Sequence, residues 1–217
     1  MKPYTHVIWD FNGTLYNDVE IGVASANRLL SAHGLDTIPS VERYRELFGF
    51  PIIDYYRRLG FDFDKLPYGE LAVEWVAYYQ EAEKHAGLFD DIPAALSRVR
   101  ERGVGQLILS ATELGMLTGQ VERLGILSYF DTLLGLENIR AYSKEEVGRA
   151  WREKNPEARA VMLGDTDHDA GVAAAMGVDC VLICRGHQNR ATLEQQPCLF
   201  VADSATEAIE RLFAKGN

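Results

Sequence analysis

Three short apolar runs constrain this chain more than anything else in it. Val7-Ile8-Trp9 stops at Asp10, residues 104–109 stop at Ser110, and residues 160–163 stop at Gly164-Asp165. Short β-forming runs that end abruptly on polar or glycine residues read as buried strands. Between and after them the periodicity is helical, over 92–102, 113–124, 143–154, 170–176 and 204–214, with further short strands expected at 132–136 and 180–183. Strands alternating with helices imply a parallel sheet with right-handed crossovers. The expected fold class is therefore α/β, with a Rossmann-like parallel sheet. The C-terminal ends of parallel strands share one edge, and ligands bind there. Asp10, Ser110 and Asp165 all fall at that edge.

One segment breaks the alternation. From Asn17 to about His85 helical periodicity dominates, punctuated at Gly34, Pro39, Gly49-Phe50-Pro51, Gly60 and Pro67. Residues 68–85 contain no proline and set Leu71, Trp75, Tyr78 and Tyr79 on one face, which reads as packing within the segment. The expected organisation is a core of 1–16 and 89–217, interrupted after its first strand by an insert of about four helices, 17–88. An insert at that point sits over the ligand edge.

Charge narrows the partners. Of 217 residues, 22 are Lys or Arg and 32 are Asp or Glu, a net charge of −10. Nucleic-acid duplexes and anionic membranes both demand a basic face, so neither is expected as a partner. Three cysteines, Cys180, Cys184 and Cys198, show no CxxC spacing. Neither a disulfide framework nor a zinc cluster is indicated, and a reducing compartment fits. With no apolar run of signal-peptide or membrane-span character, the expected location is cytoplasmic. Oligomeric state is not legible at this level.

The strand ends suggest a chemistry. Two acids, a hydroxyl and Lys144, one helix before the Asp165 strand, can meet at one edge. Acids can hold Mg²⁺, which prefers oxygen ligands shared with a phosphate. One carboxylate can act as nucleophile. A hydroxyl and an ammonium can then stabilise the charge of a transferring phosphoryl group.

This constellation resembles the haloacid dehalogenase superfamily of hydrolases. Asp10-Phe11-Asn12-Gly13-Thr14-Leu15 is similar to the family's first motif, usually Asp-x-Asp-Gly-Thr-Leu after an apolar strand. Leu107-Ile108-Leu109-Ser110 is similar to the second, Lys144 falls where the third motif's Lys is expected, and Gly164-Asp165-Thr166-Asp167-His168-Asp169 resembles the fourth. The insert resembles a helical cap, and Arg45-Glu46-Leu47-Phe48-Gly49-Phe50-Pro51 is similar to cap sequences of phosphoglycolate-phosphatase-like members. The motifs stand in order over nearly the whole chain. The resemblance implies that Asp10 is the nucleophile and a Mg²⁺ ligand, that the Asn12 carbonyl and Asp165 are further ligands, and that Asp169 supports the metal directly or from behind. It also implies that Ser110 and Lys144 hold the phosphoryl group, with Lys144 keeping Asp10 ionised. A small phosphorylated metabolite is the implied substrate.

Asn12 departs from the pattern. The family's second acid, which protonates the leaving group and later activates water, is an amide here. An amide cannot supply ordinary general acid/base catalysis. Members without this acid include transport ATPases, phosphonoacetaldehyde hydrolases and dehalogenases. A dehalogenase would not retain Asp165 and Asp169 as metal ligands, a mutase would need the missing acid, and a phosphonate hydrolase would need a Schiff-base lysine where only Lys65 and Lys84 stand in the insert. The main expectation is a Mg²⁺-dependent phosphatase working through an aspartyl-phosphate on Asp10. The alternative is a weak or inactive relative that binds a phosphorylated ligand or protein.

Plainer explanations compete at each position. Asn12-Gly13 is a hairpin signal, and Thr166-x-x-Asp169 and Ser143-x-x-Glu146 are capping boxes. A Lys is unfavourable at a helix start, which favours a functional Lys144, whereas Ser110 could be a buried, backbone-bonded hydroxyl. His168 is a minor candidate base. Arg43 and Arg45 could bind a distal anion or simply be solvated, and the Arg185-Gly186-His187-Gln188 loop lies at the functional edge or on the surface.

Overall fold

A computed structural model of the chain describes residues 3–136 and 143–214. Six parallel strands form one sheet in the order β3-β2-β1-β4-β5-β6. They are β1 (His6–Trp9), β2 (Gly105–Glu113), β3 (Thr132–Leu136), β4 (Ala160–Gly164), β5 (Asp179–Ile183) and β6 (Val201–Ala202). The chain builds outward from β1 to β2 and β3, then returns to place β4 on the other side of β1. That reversal opens a crevice beyond the C-terminal ends of β1 and β4. Trp9 pairs with Leu163, so Asp10 and Gly164-Asp165 leave the sheet side by side.

Period-two alternation assigns the faces. Val7 and Trp9 enter one core with helices α5 (Ile92–Glu101), α6 (Leu114–Arg123) and α10 (Ala205–Phe213). Ile8 enters the other, with α7 (Lys144–Lys154) and α8 (Asp167–Met176). β1, β2 and β4 are buried on both faces, which is why their sequences are continuous apolar runs rather than alternating ones.

Two local features differ from expectation. β2 does not stop at Ser110 but runs on to Glu113, with a register shift against β3 beyond Leu109. Ser110 therefore sits within the strand, where the irregularity re-aims the residues that follow. The short helix α9 (Arg190–Leu193) and strand β6 were not foreseen, because both are too brief to show periodicity.

Between β1 and α5 lie α1 (Val19–Ala32), α2 (Val41–Leu47), α3 (Ile52–Arg58) and α4 (Tyr68–Ala82). Val19, Leu29, Leu30, Tyr44, Tyr55, Tyr56 and Leu71 form a hydrophobic cluster of their own, distinct from the two sheet cores. Arg45 crosses from α2 to the core: its Nε donates to the Gly186 carbonyl at 2.8 Å and its Nη2 to the Arg185 carbonyl at 2.7 Å. Arg43, by contrast, pairs with Glu46 in solvent. Neither arginine stands free to read a substrate's distal anion.

Candidate active site

The site is assembled from strand ends and helix starts. Asp10 follows β1, Ser110 lies in β2, Lys144 opens α7, Asp165 follows β4 and Asp169 sits in the first turn of α8. All five are buried. Lys144 Nζ donates to Asp10 Oδ1 and, at 2.5 Å, to Asp169 Oδ1. This pairing offsets the cost of a cation at a helix N-terminus. The box from Ser143 to Glu146 forms as expected, so Lys144 is placed by its own helix start.

Asp169 has two jobs. Its Oδ2 accepts from the Thr166 backbone N–H at 3.0 Å, from Thr166 Oγ1 at 2.7 Å and from the Asp165 N–H at 3.1 Å, while Oδ1 takes Lys144. The plain explanation, a cap, and the functional one hold together. Ser110 Oγ accepts from the Thr112 N–H at 3.1 Å and lines the cavity beside Asp10. Asp165 accepts from Thr14 Oγ1 at 3.0 Å and from the His187 N–H at 2.6 Å. Gly13, at φ +70°, is required here: a Cβ would stand 2.3 Å from Asp165 Oδ2.

Asn12 is held by a network absent from the expectation. Its Nδ2 donates to Asp18 Oδ2 at 2.8 Å and to the Tyr79 hydroxyl at 3.0 Å, and its Oδ1 accepts from Thr112 Oγ1 at 3.0 Å. Asp18 also accepts from the Tyr79 hydroxyl at 2.5 Å and the Gly13 N–H at 2.9 Å, and lies 3.3 Å from His187 Nε2. Tyr44 OH contacts His187 Nδ1 at 2.9 Å. Every polar atom of the Asn12 side chain is satisfied as an amide, and an ionised Asp18 can only accept. The surroundings are complementary to Asn at position 12.

Asp18 precedes α1 yet makes no side-chain cap of that helix; its carboxylate faces the site instead. In the sequence it reads as an ordinary acidic helix start, so the only available signal was an acid six residues beyond Asn12. Tyr79 was expected to pack within the insert, but it reaches Asp18 and lines the cavity, as does Trp75. Tyr78 turns away, to Glu74 and Arg28. His187 lies buried in the site, not on a surface loop. His168 stacks on Phe50, with ring centroids 4.4 Å apart, and burial lowers its pKa.

The electrostatics show a deficit of positive charge. Burial, reinforced by Asp169 and Asp165, holds the Asp10 carboxyl well above its usual range; Lys144 opposes this without reversing it. Asp165 is pushed up to about 6, chiefly by burial. His187 is raised to about 9: burial acts against its charge, but Asp18 outweighs it. Asp18 stays below its usual range because His187, Tyr79 and Asn12 outweigh its burial. Asp10, Asp18, Asp165 and Asp169 thus face only Lys144 and His187 as buried cations among the described residues. One oxygen each of Asp10, Asp165 and Asp169 lies within 4.8 Å of the others. Hard carboxylate oxygens and two uncompensated negative charges fit a divalent cation.

The described residues contain no helix long and apolar enough to cross a membrane. A family model described as haloacid dehalogenase-like hydrolase matches residues 7–183. Tyrosine-protein kinase PtkA of Mycobacterium tuberculosis is 26% identical over 208 residues, covering 92% of this chain and 69% of that protein. Its solved structure superposes with a TM-score of 0.80 at 23% identity, covering 98% of this chain and 99% of that one. A haloacid dehalogenase-like family hydrolase from Streptococcus pneumoniae gives a TM-score of 0.81 at 21% identity, covering 97% and 99%. A predicted phosphatase from Clostridium acetobutylicum gives 0.78 at 20%, covering 98% and 100%.

Proposed function

The chain belongs to the haloacid dehalogenase-like hydrolases, and on that premise we propose that it is a Mg²⁺-dependent phosphatase of small phosphorylated metabolites with Asp10 as nucleophile. The observation that carries this reading is the meeting of Asp10, Lys144, Asp165 and Asp169 in one buried cluster that opens, beside Ser110, into a cavity of about 440 Å³.

Asp10 and Asp165 would hold the metal with the Asn12 carbonyl, and Asp169 supports the site through Lys144 and Thr166. A cation held there would supply positive charge beside the Asp10 carboxylate and for a substrate phosphate. An Asp10 oxygen attacks phosphorus, the bond from phosphorus to the ester oxygen breaks, and that oxygen leaves with the electron pair. Lys144 and the Ser110 hydroxyl offset charge on the phosphoryl oxygens. Water then attacks the phosphoryl group on Asp10, yielding inorganic phosphate and the free carboxylate. Residues 17–88 are read as a cap over the core 1–16 and 89–217, with Arg45 as one tie between them.

Asn12 favours a second reading, slow turnover with retained binding. Its amide is fully hydrogen-bonded and cannot protonate a leaving alkoxide. One assay separates the two: hydrolysis of p-nitrophenyl phosphate with Mg²⁺, for the wild type and Asp10→Asn. Turnover lost in the variant and in EDTA supports the phosphatase. Wild-type protein that gains thermal stability from vanadate or phosphate without turnover supports the binder. A cytoplasmic setting accords with the three free cysteines.

A further inference from the structure

The cavity continues away from Asp10 into the helical insert, and there its character changes. Tyr68, Trp75, Phe48, Phe50, Ile52 and Val76 contribute to its wall. Polar groups are few on this side. Of the cations that line the cavity among the described residues, Lys144 is held by Asp10 and Asp169, and His187 by Asp18. Glu113, also in the wall, is an acid that caps α6 through the Gly115 and Met116 N–H groups. Arg43 and Arg45, the arginines of α2, are occupied elsewhere. A substrate whose far end carried a carboxylate or second phosphate would bury that charge against rings and an acid, with no cation to receive it.

The same wall suits a flat apolar group. Aromatic rings pack face-to-face or edge-to-face on one another, and the Phe50–His168 stack already presents such a surface at the cavity. The Tyr55 hydroxyl is buried beside the cavity and has no hydrogen-bond partner among the described residues. An unmatched buried hydroxyl is costly, and a neutral polar substituent on a bound ring would satisfy it.

We propose that the leaving group taken by this site is a neutral aromatic alcohol, so that the substrate is an aryl phosphate monoester rather than a phosphate ester with a distal acid. The proposal rests on the phosphatase reading above and assigns its substrate class. It also accords with Asn12. A phenoxide is a weaker base than an alkoxide, so it departs without an acid to protonate it and takes its proton from solvent afterwards. Water is the only co-reactant.

Non-hydrolysable probes separate recognition from chemistry. Binding of phenylphosphonate and of phosphonoacetate to the full chain in Mg²⁺ would be measured by calorimetry and by Trp75 fluorescence. Hydrolysis of phenyl phosphate and of phosphoglycolate would be measured alongside. Phenylphosphonate is expected to bind at least tenfold tighter than phosphonoacetate. Trp75→Ala, checked for folding by circular dichroism, should remove most of that preference. Val76→Arg adds a cation at a position 38% exposed and should shift preference toward phosphonoacetate. Equal or tighter binding of phosphonoacetate by the wild type overturns the assignment, and hydrolysis of phosphoglycolate in that case leaves the phosphatase reading standing. Selective phenylphosphonate binding with neither ester hydrolysed supports the pocket assignment and overturns the phosphatase reading instead. Absence of binding by either phosphonate at millimolar concentration overturns the assignment as well.

Discussion

Asn12 and Asp18 face each other at 2.8 Å, amide nitrogen to carboxylate oxygen. The carboxylate that the first motif lacks at position 12 is thus present nearby, held behind the amide by Tyr79 and His187. It is a hydrogen-bond acceptor there, not a free acid.

Substituting Asn12→Asp places two carboxylates in contact. At neutral pH the variant should lose at least about 1–3 kcal/mol of stability, the cost of leaving a buried polar group without its partner, which is larger for charged groups. The loss should shrink as pH falls and the pair shares a proton. Combining it with Asp18→Asn restores a carboxylate–amide pair in reversed order and should recover the part of the loss due to the two facing carboxylates, leaving only the lost Asp18–His187 pair. General acid/base groups contribute about 10²–10⁴-fold, so the double variant should gain far more on alkyl than on aryl phosphates. Denaturant melts at pH 5 and 8, with both substrate classes, decide this. A single variant as stable as the wild type at pH 8 would contradict the contact. Because Asn12-Gly13 can deamidate, peptide mass spectrometry must show Asn12 intact in the wild-type sample.

Mg²⁺ should raise the melting temperature, and the rise should depend on pH. Burial pushes Asp165 up to about 6 in the folded state, above its ordinary value of about 3.8. Its burial therefore costs stability progressively as pH increases from about 4 to 6, and the full cost is present above that. A bound cation relieves this cost, so the Mg²⁺-induced shift should be small at pH 5 and larger at pH 7.5. Asp165→Ala should abolish most of it. An identical shift in that variant would remove Asp165 from the metal site.

The Asp18–His187 pair sets a second window. His187 has a folded pKa raised to about 9, so its stabilisation is fully present below its unfolded value of about 6.5 and is lost as pH rises through 9. Asp18 is lowered, so its contribution is present above its unfolded value of about 3.9 and is lost as pH falls through the lower folded one. The stability difference between wild type and Asp18→Asn in EDTA should peak between about pH 4 and 6.5, on the order of 3 kcal/mol, and fade above pH 9. A difference that is flat with pH would show that the pair is not ionised.

Arg45 should order the loop that carries His187. Arg45→Met removes both bonds to the Arg185 and Gly186 carbonyls. Hydrogen exchange in peptides covering 184–189 should accelerate at least several-fold, while β1 and β4 stay protected. Unchanged exchange would mean that Asp165, which accepts the His187 N–H at 2.6 Å, orders the loop alone.

Much of this molecule was legible along the chain. The strands ending at Asp10 and Asp165 are local facts: a β-forming run, an abrupt polar stop, and a helix start whose cap chemistry lies within four residues. Such signals need no distant partner, and parallel pairing then carries their ends to one edge. Lys144 was legible for the same reason, as a cation that its own helix start disfavours.

Only the tertiary structure decided the rest. Asp18, Tyr79 and His187 each have an ordinary local explanation: a helix start, a packed aromatic, a loop polar residue. Their meeting around Asn12 depends on α4 and the loop after β5 converging over the end of β1 from distant parts of the chain. A polar side chain's partner is chosen by what the fold brings within 3 Å, and no periodicity encodes that distance. The aromatic wall of the cavity is of the same kind. Spacing predicted an apolar face on α4, but whether that face met its own cluster, a neighbouring helix or a substrate was settled by packing.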